Sequence, residues 1–220
     1  MTKHRGRVSY VVRTIACAAV LVGCSTDPMV SPGQTAQGIL FPLSVGTRWT
    51  YDRVDSVEFT TDTLLKSFHS TVSFGVLADT VGPTGTKWAV LENTSDVVGG
   101  LNTGHEYVAN LDGGTWTWLV PTGTAFGAGL PALLDYPYPA ARGTTSSFGT
   151  VTVLASDSTV TVPAGTFHCM VYAAARDRIF VAPGVGVVWR SLGDITALDS
   201  NGKLQGRFQA FFFLRSVAVP

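Results

Sequence analysis

The sequence predicts a mainly β fold over residues 39–220: a single antiparallel sheet of about ten to twelve strands, built as a half-open barrel or a sandwich. Three observations predict it. Apolar residues recur at period two in short runs, turn-forming residues interrupt those runs about every 8–12 positions, and no stretch of about ten residues has helical periodicity.

The first long strand opens at Arg48-Trp-Thr-Tyr51. Val72, Phe74 and Val76 alternate with polar or small residues, which puts them on one face of the next strand. Lys87–Glu92 and Glu106–Leu111 follow, and Asp112-Gly113 is a turn into Thr115-Trp-Thr-Trp-Leu-Val120. Between 121 and 149, four prolines and five glycines predict a long irregular loop, although its Leu133–Tyr138 stretch is apolar and aromatic. Thr150–Ala155 and Ser158–Val162 are expected to form a hairpin around Ser156-Asp157. Strands at Thr166–Ala175 and Arg178–Val181 lead to the turn Pro183-Gly-Val-Gly186, then to Val187-Val-Trp-Arg190. A final hairpin turns at Asp199–Lys203, whose Asn201-Gly202 is a strong turn signal. Its second strand is apolar on both faces: Phe208, Ala210, Phe212 and Leu214 on one, Phe211 and Phe213 on the other. Such a strand is central in a two-layer structure or lines an apolar cavity.

The N-terminal region reads as an export signal. Lys3, Arg5, Arg7 and Arg13 precede an apolar run from Thr14 to Gly23, and the first acid is Asp27. That run is shorter than the roughly 20 residues a membrane-spanning helix needs. It ends Leu21-Val22-Gly23-Cys24, which resembles the lipobox of bacterial lipoproteins. The resemblance implies cleavage between Gly23 and Cys24 and acylation of Cys24, palmitate being a typical chain. Two or three acyl chains, at about 0.8 kcal/mol per buried CH₂, anchor a protein stably. Residues 1–23 are then the signal peptide, and 24–38 the lipidated cysteine with a flexible tether of small and turn-forming residues. Ser25 after the cysteine favours the outer membrane with the domain in the periplasm, or the cell membrane in an organism that has one membrane.

Four of the fifteen Lys and Arg precede Cys24 and all fifteen acids follow it. The chain from Cys24 onward therefore has eleven basic groups against fifteen acids, a net charge of −4, which argues against nucleic acid as a partner. With Cys17 in the signal and Cys24 acylated, Cys169 is left without a disulfide partner.

Two clusters carry a further resemblance. Phe41-Pro-Leu-Ser-Val-Gly-Thr-Arg-Trp-Thr-Tyr51 has an F-P-L-x-x-G-x-x-W-x-Y pattern, and Val162-Pro-Ala-Gly-Thr-Phe167 a V-P-A-G-x-F turn, followed by Ala182-Pro-Gly-Val-Gly186. These are similar to motifs of bacterial envelope lipoproteins of no settled activity. The turn also resembles one in periplasmic domains of the DUF3108 type, and the half-open barrel of lipoprotein carriers is a comparable shape. The resemblance implies a fold and a compartment, not a reaction. Trp49, Tyr51 and Phe167 are expected to be core anchors.

No motif amounts to an active site. His105-Glu106 and His168-Cys169 are adjacent strand residues pointing to opposite faces, so neither pair chelates one ion. Gly127-Ala-Gly129-Leu-Pro-Ala132 lacks the strand and helix of a dinucleotide site, and Asp199-Ser-Asn201 lacks the distal glutamate of a calcium loop. No metal, cofactor or catalytic residue is expected. The favoured reading is a non-catalytic lipoprotein, held to the membrane by its lipid, that binds an amphiphile or an envelope component. Tyr136, Tyr138, Phe211 and Phe213 are the candidate ligand contacts. A structural module working through protein contacts is the alternative, and a hydrolase with scattered catalytic residues would need a cleft holding at least two convergent polar groups with perturbed ionisation.

Overall fold

A computed structural model of the chain describes residues 39–59, 62–95, 106–119, 126, 132–147, 150–198 and 204–220. Eleven strands form one antiparallel sheet: β1 (Arg48–Phe59), β2 (Asp62–Val81), β3 (Lys87–Ser95), β4 (Glu106–Leu111), β5 (Gly114–Leu119), β6 (Leu133–Pro137), β7 (Val151–Val162), β8 (Gly165–Ala174), β9 (Asp177–Ala182), β10 (Gly186–Leu198) and β11 (Leu204–Ala218). The spatial order is β6-β5-β4-β3-β2-β1-β11-β10-β9-β8-β7. The first and last strands thus pair at the centre, and two meanders run outward from them to the edges β6 and β7.

The sheet rolls into a nearly closed barrel with one unsealed seam between those edges. Segment 138–147 bridges it in place of a strand ladder. Gly143 N–H donates to the Val153 carbonyl, Val153 N–H to Thr144 and Ser146 N–H to Val151, each at 2.8 Å. On the β6 side, Leu134 N–H donates to the Ser147 hydroxyl at 3.0 Å. Inside the seam, Tyr136 and Tyr172 meet edge to face, with ring centroids 5.2 Å apart. The buried Tyr172 hydroxyl donates to the Pro137 carbonyl at 2.9 Å. Tyr172→Phe should therefore destabilise the protein by about 1 kcal/mol, the usual value of one buried hydrogen bond. Urea unfolding measures it, and an unchanged midpoint would show that the seam does not depend on this bond.

Segment 39–47 closes one end. Leu40 is fully buried, Asn110 Nδ2 donates to the Phe41 carbonyl at 2.8 Å, and Gly184 N–H donates to Ile39 at 2.8 Å. The F-P-L-x-x-G motif is thus a plug that ties β4 to the β9–β10 turn. Two aromatics on the inner face of β1 cross the barrel to the same region. Trp49 Nε1–H donates to the Val185 carbonyl at 2.6 Å, and the Tyr51 hydroxyl donates to the Val187 carbonyl at 2.9 Å. Both aromatics are buried, as expected of core anchors, and Phe167 packs at the edge of the same cluster.

Two sequence expectations are corrected. The hairpin placed at Ser156-Asp157 does not exist: β7 runs straight through both residues, and its ladder with β8 changes register between Ala155 and Ser158. A bulge absorbs the polar pair. The chain reverses instead after Pro163-Ala164, where Gly165 takes φ +132°, a region favouring glycine. Nor is 121–149 devoid of regular structure, since Leu133–Pro137 forms edge strand β6 on β5. Its apolar and aromatic residues outweighed the prolines, of which Pro137 is the strand's last residue. The Asp199–Lys203 turn, Gly127–Pro131, and the signal, Gly23, Cys24 and the tether lie outside the described residues.

Candidate functional site

Inward-facing side chains leave a cavity of about 170 Å³ inside the barrel. Its apolar wall comes from Phe41 in the plug, Trp49 and Tyr51 on β1, Phe74 on β2, Leu91 on β3, Val108 on β4 and Phe212 on β11. Glu106 on β4, Thr115 and Thr117 on β5, Asp135 on β6 and Arg190 on β10 add a polar patch.

Two bulges build that patch. The β5–β6 ladder changes register between Thr115 and Trp116, so Asp135 and Tyr136, although consecutive, both reach the cavity. The β9–β10 ladder changes register between Val187 and Trp189. That turns Arg190 to the same face as Val187, and Trp189 outward against Phe180 and Phe213. Bulges re-aim side chains in this way next to functional sites.

Burial pushes the carboxyl pKa of Glu106 above its ordinary value, and the nearby Asp135 charge pushes it further, while Arg190 opposes both effects. Asp135 is likewise raised by burial, opposed by Arg190 and by a long 3.5 Å hydrogen bond from Thr117. Arg190 is only partly committed elsewhere, since its buried Nε has no hydrogen-bond partner among the described residues. Its Nη2 meets Asp177 Oδ2 at 3.1 Å, and Asp177 Oδ1 accepts the Gly193 N–H at 2.8 Å. A second ion pair, Arg53 to Asp55 at 2.8 Å, lies beyond Phe212, and the Arg53 guanidinium sits 5.3 Å from the centre of that ring.

Of the expected contacts, Tyr136 lines the cavity. Tyr138 packs against the neighbouring cluster around Tyr172 and does not line it. Phe211 and Phe213 face outward, where both meet Trp189. Their neighbour Phe212 faces the cavity instead. By sequence, Glu106 was weighed only as a metal ligand beside His105, and Asp135 and Arg190 were not singled out. Cys169 is buried, and burial pushes its thiol up to about 12, so it is unreactive at neutral pH. Among the described residues no group of three His, Cys, Asp or Glu is placed to hold a metal ion, and no helix is long and apolar enough to cross a membrane.

A second aromatic cluster lies on the outer face of β3–β5. Phe126 stacks on Tyr107 with centroids 4.0 Å apart and packs edgewise on Trp88 and Trp118. Phe126 fills the space between these rings, so this cluster is a small outer core.

Comparison with family models, with curated proteins and with solved structures finds no match for this chain.

Proposed function

We propose that this chain is a lipid-anchored envelope protein whose barrel binds a small amphiphile. The observation that carries the reading is the polarity of the cavity, an aromatic and aliphatic wall facing a patch of Glu106, Asp135 and Arg190. Binding sites of this kind are mostly apolar, with a few placed polar groups that fix orientation. The lipobox-like Leu21–Cys24 supports the anchor, and Ser25 supports an outer-membrane location. The test is to purify a Cys24→Ser protein that lacks residues 1–23 and to identify co-purifying molecules by native mass spectrometry. A bound amphiphile released on unfolding is the expected result. An empty protein, with no quenching of Trp49 fluorescence by added amphiphiles, would sink the reading.

One observation favours a second reading. Two carboxyls with raised pKa values in one cavity are what general acid–base catalysis requires. The same experiment separates the two. A ligand recovered chemically unchanged after long incubation supports binding. Conversion that is lost in Glu106→Gln supports catalysis.

A further inference from the structure

We infer that the ligand's polar head is a cation, an ammonium group carried on a body about the size of one aromatic ring. This inference rests on the amphiphile-binding reading and specifies its chemistry.

Size comes first. A cavity of about 150 Å³ is known to accommodate benzene, and this one is about 170 Å³. The buried part of the ligand is therefore a ring or a short branched chain, and a long acyl tail does not fit inside.

Charge comes second. The positive groups near the cavity each pair with a carboxylate, Arg190 through Nη2 with Asp177 and Arg53 with Asp55, although the buried Arg190 Nε has no hydrogen-bond partner among the described residues. Glu106 and Asp135 are the two carboxyls that line the cavity, and neither has an ion-pair partner of its own among the described residues. Glu106 has no hydrogen-bond partner there either, and its carboxyl opens on the cavity. Arg190 attracts both acids, but one guanidinium serves three carboxyls. A bound ammonium would supply the missing charge and donate up to three hydrogen bonds to the two acids. An anionic head would add a further negative charge to the same patch.

The wall supplies the third argument. Aromatic faces attract cations, and the Phe212 ring already has the Arg53 guanidinium 5.3 Å from its centre. Trp49, Tyr51 and Phe74 extend that aromatic surface around the rest of the cavity.

Three probes of nearly equal shape test the inference on the full chain at neutral pH: 2-phenylethylamine, 2-phenylethanol and phenylacetate, each titrated calorimetrically. The amine should bind at least about tenfold more tightly than the alcohol, with phenylacetate weakest. In Glu106→Gln/Asp135→Asn the amine's advantage should vanish while the alcohol still binds, which also shows that the variant is folded. If the alcohol or phenylacetate binds as tightly as the amine to the unaltered chain, the cationic head is overturned and the cavity reading stands. An amine advantage that survives in the folded double variant also overturns it. If none of the three binds, the cavity reading falls, and this inference with it.

Discussion

Gly186→Ala should destabilise the protein by about 3 kcal/mol. Two costs coincide there. Gly186 takes φ +96°, which residues with a Cβ resist. A Cβ would also lie 2.9 Å from Phe41 Cδ1 and 3.2 Å from Trp49 Nε1. Displacing either ring disturbs a hydrogen bond beside it. Phe41 belongs to the plug whose carbonyl accepts from Asn110, and Trp49 Nε1–H is bonded to Val185, one residue before the glycine. The substitution thus pushes the plug off the barrel end and strains the bond that joins β1 to the β9–β10 turn. Chemical unfolding reads the loss, and near-ultraviolet circular dichroism reads the altered packing of Trp49. A midpoint within experimental error of the unsubstituted protein would show that the plug is not fixed at this glycine.

That turn was legible in the sequence as Pro183-Gly-Val-Gly186, because reversal signals are local and depend on residues that admit unusual backbone angles. Strand identity was legible for a similar reason: Val72, Phe74 and Val76 share a buried face whatever their partners are. Ser156-Asp157 misled because a polar pair can serve a turn or a bulge equally well. The deciding feature, pairing of both flanks with the same strand β8, is not local.

The site was less legible, and bulges are the cause. Read at period two from Val187, Arg190 falls on the outer face, and β10 looks like a strand with one solvated arginine. The extra residue before Trp189 reverses that assignment. Asp135 and Tyr136 cannot both be inward in a regular strand, yet both line the cavity. Phe211 and Phe213 were chosen over Phe212 because a two-sided apolar strand does not reveal which side is hollow. Only the register Arg53↔Phe212↔Arg190 settles it. A signal was nonetheless present. Glu106 opens a strand whose next three residues, Tyr107, Val108 and Ala109, are apolar or aromatic, and Asp135 interrupts an apolar run, so each is a charged residue in a context that tends to bury it.

The same two acids give the second large effect. Glu106→Gln/Asp135→Asn should raise the melting temperature by about 5 °C at neutral pH and change how stability depends on pH. Both carboxyls have folded-state pKa values above their ordinary ones, because burial disfavours the charged form more than Arg190 and Thr117 favour it. Below about pH 3 both groups are protonated in the folded and the unfolded chain, so they contribute no difference. As pH rises past that point, the unfolded chain ionises first. The folded chain then binds more protons than the unfolded one, and stability falls with pH until the folded carboxyls ionise as well. Amides have no such titration. The advantage of the double variant should therefore be near zero at about pH 3, grow through the acid range and level off above the folded pKa values. The other groups facing this patch, Arg190 with Asp177 on β9 and β10 and the phenols of Tyr51 and Tyr136, are kept in both proteins. Burial raises both phenols above their ordinary range, so they lose stability only in strong alkali, outside this window. Thermal unfolding at about pH 3, 4, 5, 6, 7 and 8 measures the profile. A variant less stable than its parent at pH 7 would show that the ionised carboxyls, held by Arg190, stabilise the fold. That outcome would remove the unmatched negative charge on which the cationic ligand depends.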